Sequence, residues 1–318
     1  MPEFSVESTL AEEHGLDLSL AQRCYVLDVV RRVVEADRTP LGPRSAQLLE
    51  VVREALRLGA HETTTGDAAG IVPSQRRMLA DSLVVAACIE GEVTCARQVA
   101  VAQVARDLGV RSHWVDLLGA LRRRRVLSVK RALMTHSPDA RRLFARLWEE
   151  EGILGLLRAL VFALGLHRDA PLAARYRALA TQPPGSLGRA FHDHFTSRRL
   201  AFPGEKGGMP ERMLHHDLMH VLNGFDTDPA GECELAGFYA GFADGDAFTF
   251  IVIALATFHL GLRVSPAVVE TSRGAFDPAR VLAAFWRGRR IRVDVMGRWD
   301  YWALMPLPLD RARATLRA

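Results

Sequence analysis

The chain has 318 residues, 49 % of them hydrophobic and 25 % charged. That balance excludes a disordered or fibrous chain and leaves room for one large or two compact domains. With 41 Lys and Arg against 37 Asp and Glu the net charge is +4, too small an excess to point to a nucleic-acid partner. Four cysteines, Cys24, Cys88, Cys95 and Cys233, form no C-x-x-C pair; the spacing suggests neither a disulfide framework nor a zinc knuckle and predicts reduced thiols.

The N-terminus, MPEFSVESTLAEEHG, is acidic and polar and reads as neither a signal nor a transit peptide. Residues 20–36 (LAQRCYVLDVVRRVVEA) space their apolar side chains three and four apart, the period of an amphipathic helix. Residues 45–58, 75–89, 95–108 and 112–121 repeat the habit. Ser112 and Asp139 suit N-caps, and Gly109 and Gly119 suit stops. The basic run Arg122 to Arg125, continued by Lys130 and Arg131, reads as a solvated helix end. A boundary near residues 135–138 (THSP) divides a helical segment, 1–136, from a second domain, 137–318.

Within the first segment, residues 86–108 run helix, acidic glycine turn, capping Thr94, helix. Residues 33–58 have a similar layout, with Asp37 and Pro40 in the turn. This echo resembles the tellurite-resistance TerB-like helical domain over roughly residues 25–135. The turn of that family carries acidic residues associated with metal. Here only Glu90 and Glu92 stand at such positions, so the resemblance carries no metal site over.

Two apolar stretches, 153–166 and 248–262, are about 14 and 15 residues long, short of the roughly 20 that a spanning helix needs. Core helices are expected there. Residues 180–185 (ATQPPG) fix a bend, and a new helix starts at 186. Only residues 290–295 (RIRVDV) alternate as a strand or loop edge would. The expectation is an all-α fold of two helical domains.

The passage 213–234, MLHHDLMHVLNGFDTDPAGECE, carries the chemistry. With about 100° per residue, His220 lies about 40° and Asp217 about 100° from His216. Leu214, Leu218, Val221 and Leu222 fill much of the remaining surface, so the helix is expected to be buried. Titratable groups on such a helix are costly unless something satisfies them together, and a cation does. Asn223–Gly224 suits a helix end and Asp228–Pro229 a helix start. The reversal makes an antiparallel hairpin that brings Glu232 opposite His220. The expected metal ligands are therefore His216, Asp217, His220 and Glu232. Two imidazoles and two carboxylates suit a divalent ion, zinc foremost and iron or manganese next.

Neighbouring residues are read more plainly. His215 points away from the ligand arc. His192 and His194 diverge by about 200° on a helix and cannot easily serve one ion. Asp228 is a cap. Glu234 points roughly opposite to Glu232 and is expected to be exposed. Arg189 suits a substrate carboxylate or an acidic neighbour. No G-x-S-x-G, P-loop or G-x-G-x-x-G occurs.

His216-Asp217-Leu218-Met219-His220, then eleven residues, then Glu232, resembles the H-D-x-x-H…E signature of the ubiquinone-biosynthesis protein four family, the fourth of the coenzyme Q set. PPGSLGRAF (183–191) and HVLNGFDTDPAGE (220–232) are similar to its flanking motifs. So is the tail, Trp299-Asp300-Tyr301-Trp302 before Pro306-Leu307-Pro308-Leu309. The likeness covers roughly residues 150–318. It implies a peripheral membrane, all-helical, metal-binding protein of quinone biosynthesis. Such a protein would remove the C1 carboxylate of a polyprenylated aromatic precursor and place a hydroxyl there. By resemblance His216, Asp217, His220 and Glu232 take the ligand role, with no catalytic group assigned beyond them. Arg189, Phe250 and His259 would contact substrate, and 248–262 would shelter its prenyl tail. The implied partners are a prenyl-lipid ligand, other quinone-biosynthesis enzymes and the inner, cytoplasmic membrane surface. Two features depart from the family: the N-terminal domain of about 135 residues and the glycine-rich PGEKGGMP loop (203–210). A non-catalytic prenyl-lipid organiser is the alternative. An HD-type phosphohydrolase would need a further upstream His and a later Asp at other spacings, and a stress-response adaptor would rest on the N-terminal domain alone.

Overall fold

The computed structural model describes residues 18–37, 40–59, 66–136, 168–243, 245–264, 271–297 and 299–317. The acidic N-terminus, Asp139 and the apolar stretch 153–166 lie outside them. The described residues form thirteen α-helices and no strand, only two isolated β-bridges. The fold is all-α.

Two compact units share the chain. One combines Met1–His136 with Asp228–Gly288; the other combines Ser137–Thr227 with Arg289–Ala318. The expected division at 136/137 is thus one of three crossings, and residues 228–288 group with the N-terminal helices instead of with the rest of 137–318. The reason is a shared core: Val252, Leu255, Phe258, Phe276 and Val281 belong to the same apolar cluster as Val29, Val33, Leu83, Val101 and Trp114. Burying each such side chain contributes about 1.5–3 kcal/mol.

In the first unit, helix α1 (Leu20–Val34) opens with a capping box between Ser19 and Gln22. Helix α2 (Pro43–Ala55) and helix α3 (Pro73–Cys88) each place proline in the first turn, where its missing N–H is harmless. Thr94 caps α4 (Cys95–Asp107) and Ser112 caps α5 (His113–Arg122). Gly109, at φ 68°, lies just past α4, as expected of a stop. Gly119 does not stop a helix: it is buried inside α5, where a Cβ would crowd Gln98. Helix α6 (Val126–His136) follows.

The basic run is not a plain solvated end. Arg124 adopts φ 52° and donates to the Leu260 and Gly261 carbonyls at 2.9 and 3.0 Å, while Arg122 donates to Gln98 at 2.9 Å. Two of its arginines are structural clasps.

The 228–288 part of this unit contributes α10 (Pro229–Phe242), α11 (Phe248–Ala254) and α12 (Pro278–Gly288). Helices α10 and α12 meet through glycine: a Cβ on Gly237 would sit 2.5 Å from the Val281 carbonyl oxygen, and one on Gly288 would overlap the Phe238 carbonyl. Helix α11 runs into a π-helical turn, Leu255–His259. The expected core helix over 248–262 is present to His259, with one wide turn, and residues 260–262 continue outside it. No described helix is long and apolar enough to cross a membrane.

In the second unit, Asp169 caps α7 (Ala170–Arg177) and Ser186 caps α8 (Leu187–Ser197). Helix α9 (His215–Asn223) ends at Gly224, φ 70°. The C-terminal tail ends in α13 (Leu309–Thr315) and pairs with the entry to α8. Leu187 N–H donates to Leu307 O at 2.9 Å, Gly188 N–H to Met305 O at 2.8 Å, and Leu309 N–H to Gly185 O at 3.0 Å. These bonds hold the PPGSLG segment against the PLPL segment. Tyr176 donates to Glu211 Oε1 at 2.7 Å and meets the Tyr301 hydroxyl at 2.8 Å; Trp302 Nε1 donates to the same Glu211 oxygen at 3.0 Å. Residues 290–295 form a loop edge, with Arg292 N–H donating to Leu316 O at 2.9 Å.

Candidate metal centre

Helix α9 exists because Leu214, Leu218, Met219 and Leu222 pack one face into the core with no exposed surface. Gly224 supplies the left-handed turn, and the Asp228 carboxylate accepts from Gly231 N–H at 2.7 Å to start α10. The predicted turn chemistry is thus in place on both sides of residues 224–228.

Within α9, the Nε2 atoms of His216 and His220 stand 3.3 Å apart, with ring planes crossed at 73°. The Nδ1 of His220 lies 3.2 Å from the Phe225 carbonyl. A carbonyl only accepts, so Nδ1 carries the proton and Nε2 the lone pair. An acceptor on the outer ring nitrogen in this way orients an imidazole toward a cation. Nitrogens bound at about 2.05 Å with a tetrahedral angle stand about 3.3 Å apart. The pair therefore fits a tetrahedral site. One ligand atom from each of His216, His220 and Glu232 lies within 4.8 Å of the others.

Asp217 is not in that group. It is buried, with Oδ1 3.8 Å from His194 Nε2. His194 is 8 % exposed, its Nε2 has no hydrogen-bond partner, and its ring lies near-parallel to that of His220 at 6.1 Å. The divergence of His192 and His194 around their helix excludes only their joint service of one ion. The sequence signal for His194 was its place three residues after Phe191 and one before Phe195, on the apolar face of α8, where both phenylalanines are buried.

The chain matches no known family, no curated protein and no solved structure.

The remaining expected residues fall as follows. His215 is largely desolvated; burial first, then the neighbouring His216, push its pKa down to about 4. Arg189 meets an acidic neighbour, donating from Nε to both Asp193 oxygens at 2.9 and 3.0 Å. Phe250 stacks on Tyr239 at 5.1 Å. His259 is fully buried; its Nε2 donates to the Ile89 and Cys88 carbonyls at 2.9 and 3.1 Å, and its Nδ1 accepts from Phe276 N–H at 3.2 Å. Both ring nitrogens are committed to the backbone. Glu234 is not exposed but ion-paired with Arg280, its side chain 15 % accessible. Burial pushes the thiol of Cys233 up to about 12, so it stays protonated beside Glu232.

Of the acidic turn residues, Glu90 accepts from Ser45 N–H at 2.7 Å and so caps α2. With Asp37, Glu92 and Arg97 it lines a cavity of about 160 Å³. Sequence periodicity missed a second group entirely: His113, His136 and Asp246 also bring ligand atoms within 4.8 Å of one another.

Proposed function

We propose that this chain is a metal-dependent enzyme of quinone biosynthesis that exchanges the C1 carboxylate of a polyprenylated hydroxybenzoate-type precursor for a hydroxyl. The observation that carries the reading is the His216–His220 pair, with its 3.3 Å Nε2 separation and its Nδ1 anchor on Phe225. Glu232 is the third ligand, and the motif set around it supplies the substrate class. A bound divalent ion supplies Lewis acidity toward the substrate carboxylate. The chain's residues do the rest. His216 and His220 hold their ring nitrogens in a fixed relation, and the packed apolar face of α9 fixes the helix that carries them. Exchange of a ring carboxylate for hydroxyl releases CO2 and withdraws two electrons, so an external oxidant is consumed.

The test uses the purified full chain, elemental analysis, and CO2 release from a carboxyl-labelled polyprenyl hydroxybenzoate. Metal-dependent turnover that falls at least about 100-fold in His220→Ala, with one metal equivalent lost, supports the reading. Turnover indifferent to chelation and to His220→Ala sinks it. A retained prenyl ligand without turnover makes the chain an organiser.

A further inference from the structure

We propose that His113, His136 and Asp246 form a second site for a divalent transition-metal ion, held wholly within the first unit. It shares no residue with the His216–His220 site. His113 opens α5, His136 closes α6, and Asp246 sits in the turn before α11.

The geometry around His113 is that of neighbouring ligands. Its Nε2 lies 2.8 Å from Asp246 Oδ2. The contact is an ion pair when His113 is protonated, poorly aligned for a hydrogen bond. The oxygen stands beside the ring nitrogen and off the line along which a proton would be donated. Two cis ligands of an octahedral ion stand in that relation: bonds of about 2.0–2.1 Å at right angles put donor atoms about 2.9 Å apart.

The surroundings fix the carboxylate. Trp114 Nε1 donates to Asp246 Oδ1 at 2.9 Å and leaves Oδ2 turned to His113. A donor on the outer oxygen is how a ligating carboxylate is oriented. The Thr249 hydroxyl, 3.4 Å from the His136 carbonyl, fastens the end of α6 to the start of α11.

The His136 ring lies over His113 at 3.6 Å, tilted by 13°. One ion cannot lie in both planes of a parallel stack, so binding turns His136 about its Cβ–Cγ bond. Its place as the last residue of α6, only partly buried, leaves room for that turn. Arg77 donates to His113 Nδ1 at 3.2 Å and also faces Asp81 at 3.5 Å. Its side chain is 46 % exposed, so it can keep Asp81 while Nδ1 takes up the proton of a metal-bound ring. Two imidazoles and one carboxylate select zinc, cobalt(II), nickel(II) or iron(II) over calcium and magnesium. A bound ion would clasp three segments that are far apart in the chain.

The test strips the full-length chain with a chelator and titrates it with cobalt(II). Bound equivalents are counted by visible absorption and elemental analysis. Wild type takes two ions. His220→Ala takes one. His136→Phe, which keeps the ring stack and removes the ligand nitrogen, also takes one, and the double variant takes none. Asp246→Asn is measured in parallel, and far-UV circular dichroism checks the fold. If His136→Phe does not fold, the count on Asp246→Asn decides. A folded His136→Phe, or in its place Asp246→Asn, that binds as many ions as wild type overturns the second site. Loss of an ion in His136→Phe with none lost in His220→Ala would instead remove the hairpin reading and leave this one standing.

Discussion

Replacing His259 with phenylalanine is expected to destabilise the chain by about 4 kcal/mol. The ring nitrogens of His259 serve three backbone groups: the Cys88 and Ile89 carbonyls and the Phe276 N–H. Cys88 O keeps a second partner, Gly91 N–H at 2.8 Å, so its loss is small. Ile89 O and Phe276 N–H are left unsatisfied, at about 1–3 kcal/mol each. Phenylalanine fills the ring volume, so no cavity adds to the sum. The expected fall in Tm is roughly 8–16 °C. A pH dependence follows. Burial, above all, holds the His259 pKa below its ordinary value, against the opposing pull of the Ile89 carbonyl. Below about pH 6.5 the unfolded chain takes a proton that the folded chain refuses. Wild type therefore loses stability as pH falls through that value and gains nothing from His259 above it. The variant lacks this loss, so the gap between the two narrows in acid. Thermal and urea unfolding at pH 7.5 and 5.5, followed by circular dichroism, measure both effects. A loss under about 1 kcal/mol, or a gap that widens in acid, refutes the role of pin. Weakened substrate binding at unchanged stability would return His259 to the substrate site.

Two further substitutions test the packing. Gly288→Ala drives a Cβ into the Phe238 carbonyl, which is backbone and cannot swing aside; a loss of about 3 kcal/mol or more is expected, and a Tm within about 2 °C of wild type would contradict the close crossing of α10 and α12. Tyr176→Phe removes the hydroxyl that joins Glu211 to Tyr301, while Trp302 still donates to Glu211. A loss of about 1–2 kcal/mol in urea unfolding is expected, and no loss would mean that the tail is held elsewhere.

What the sequence made legible was local. Thr94, Ser112 and Asp228 cap helices because a short polar side chain before an apolar period can reach the orphan N–H groups. His216 and His220 meet because a helix repeats every 3.6 residues, and the turn at 224–228 follows from Gly224 and Pro229. What the sequence hid depended on partners far along the chain. Asp217 shares the arc of the histidines, but its neighbour is His194, a helix away. Arg124 looked solvated because nothing nearby in sequence announces the Leu260 carbonyl. His113, His136 and Asp246 carry no motif; only the packing of the first unit gathers them. Gly119 looked like a stop because glycine near the end of a helical pattern can cap it, yet here it makes room for Gln98.

The division of the chain has a consequence for synthesis. Along the chain, residues 137–227 separate the two parts of the first unit. Closing a loop of that length costs on the order of 4 kcal/mol, a penalty met before Val252, Phe258 or Val281 can join Val29 and Leu83. At 5–20 residues per second, roughly 8–30 s separate the emergence of residue 136 from that of residue 288. For that interval the N-terminal helices stand on the ribosome with an unfinished apolar face, open to chaperones. A fragment cut at residue 136 would be frozen in the same condition: half of a core, not a module.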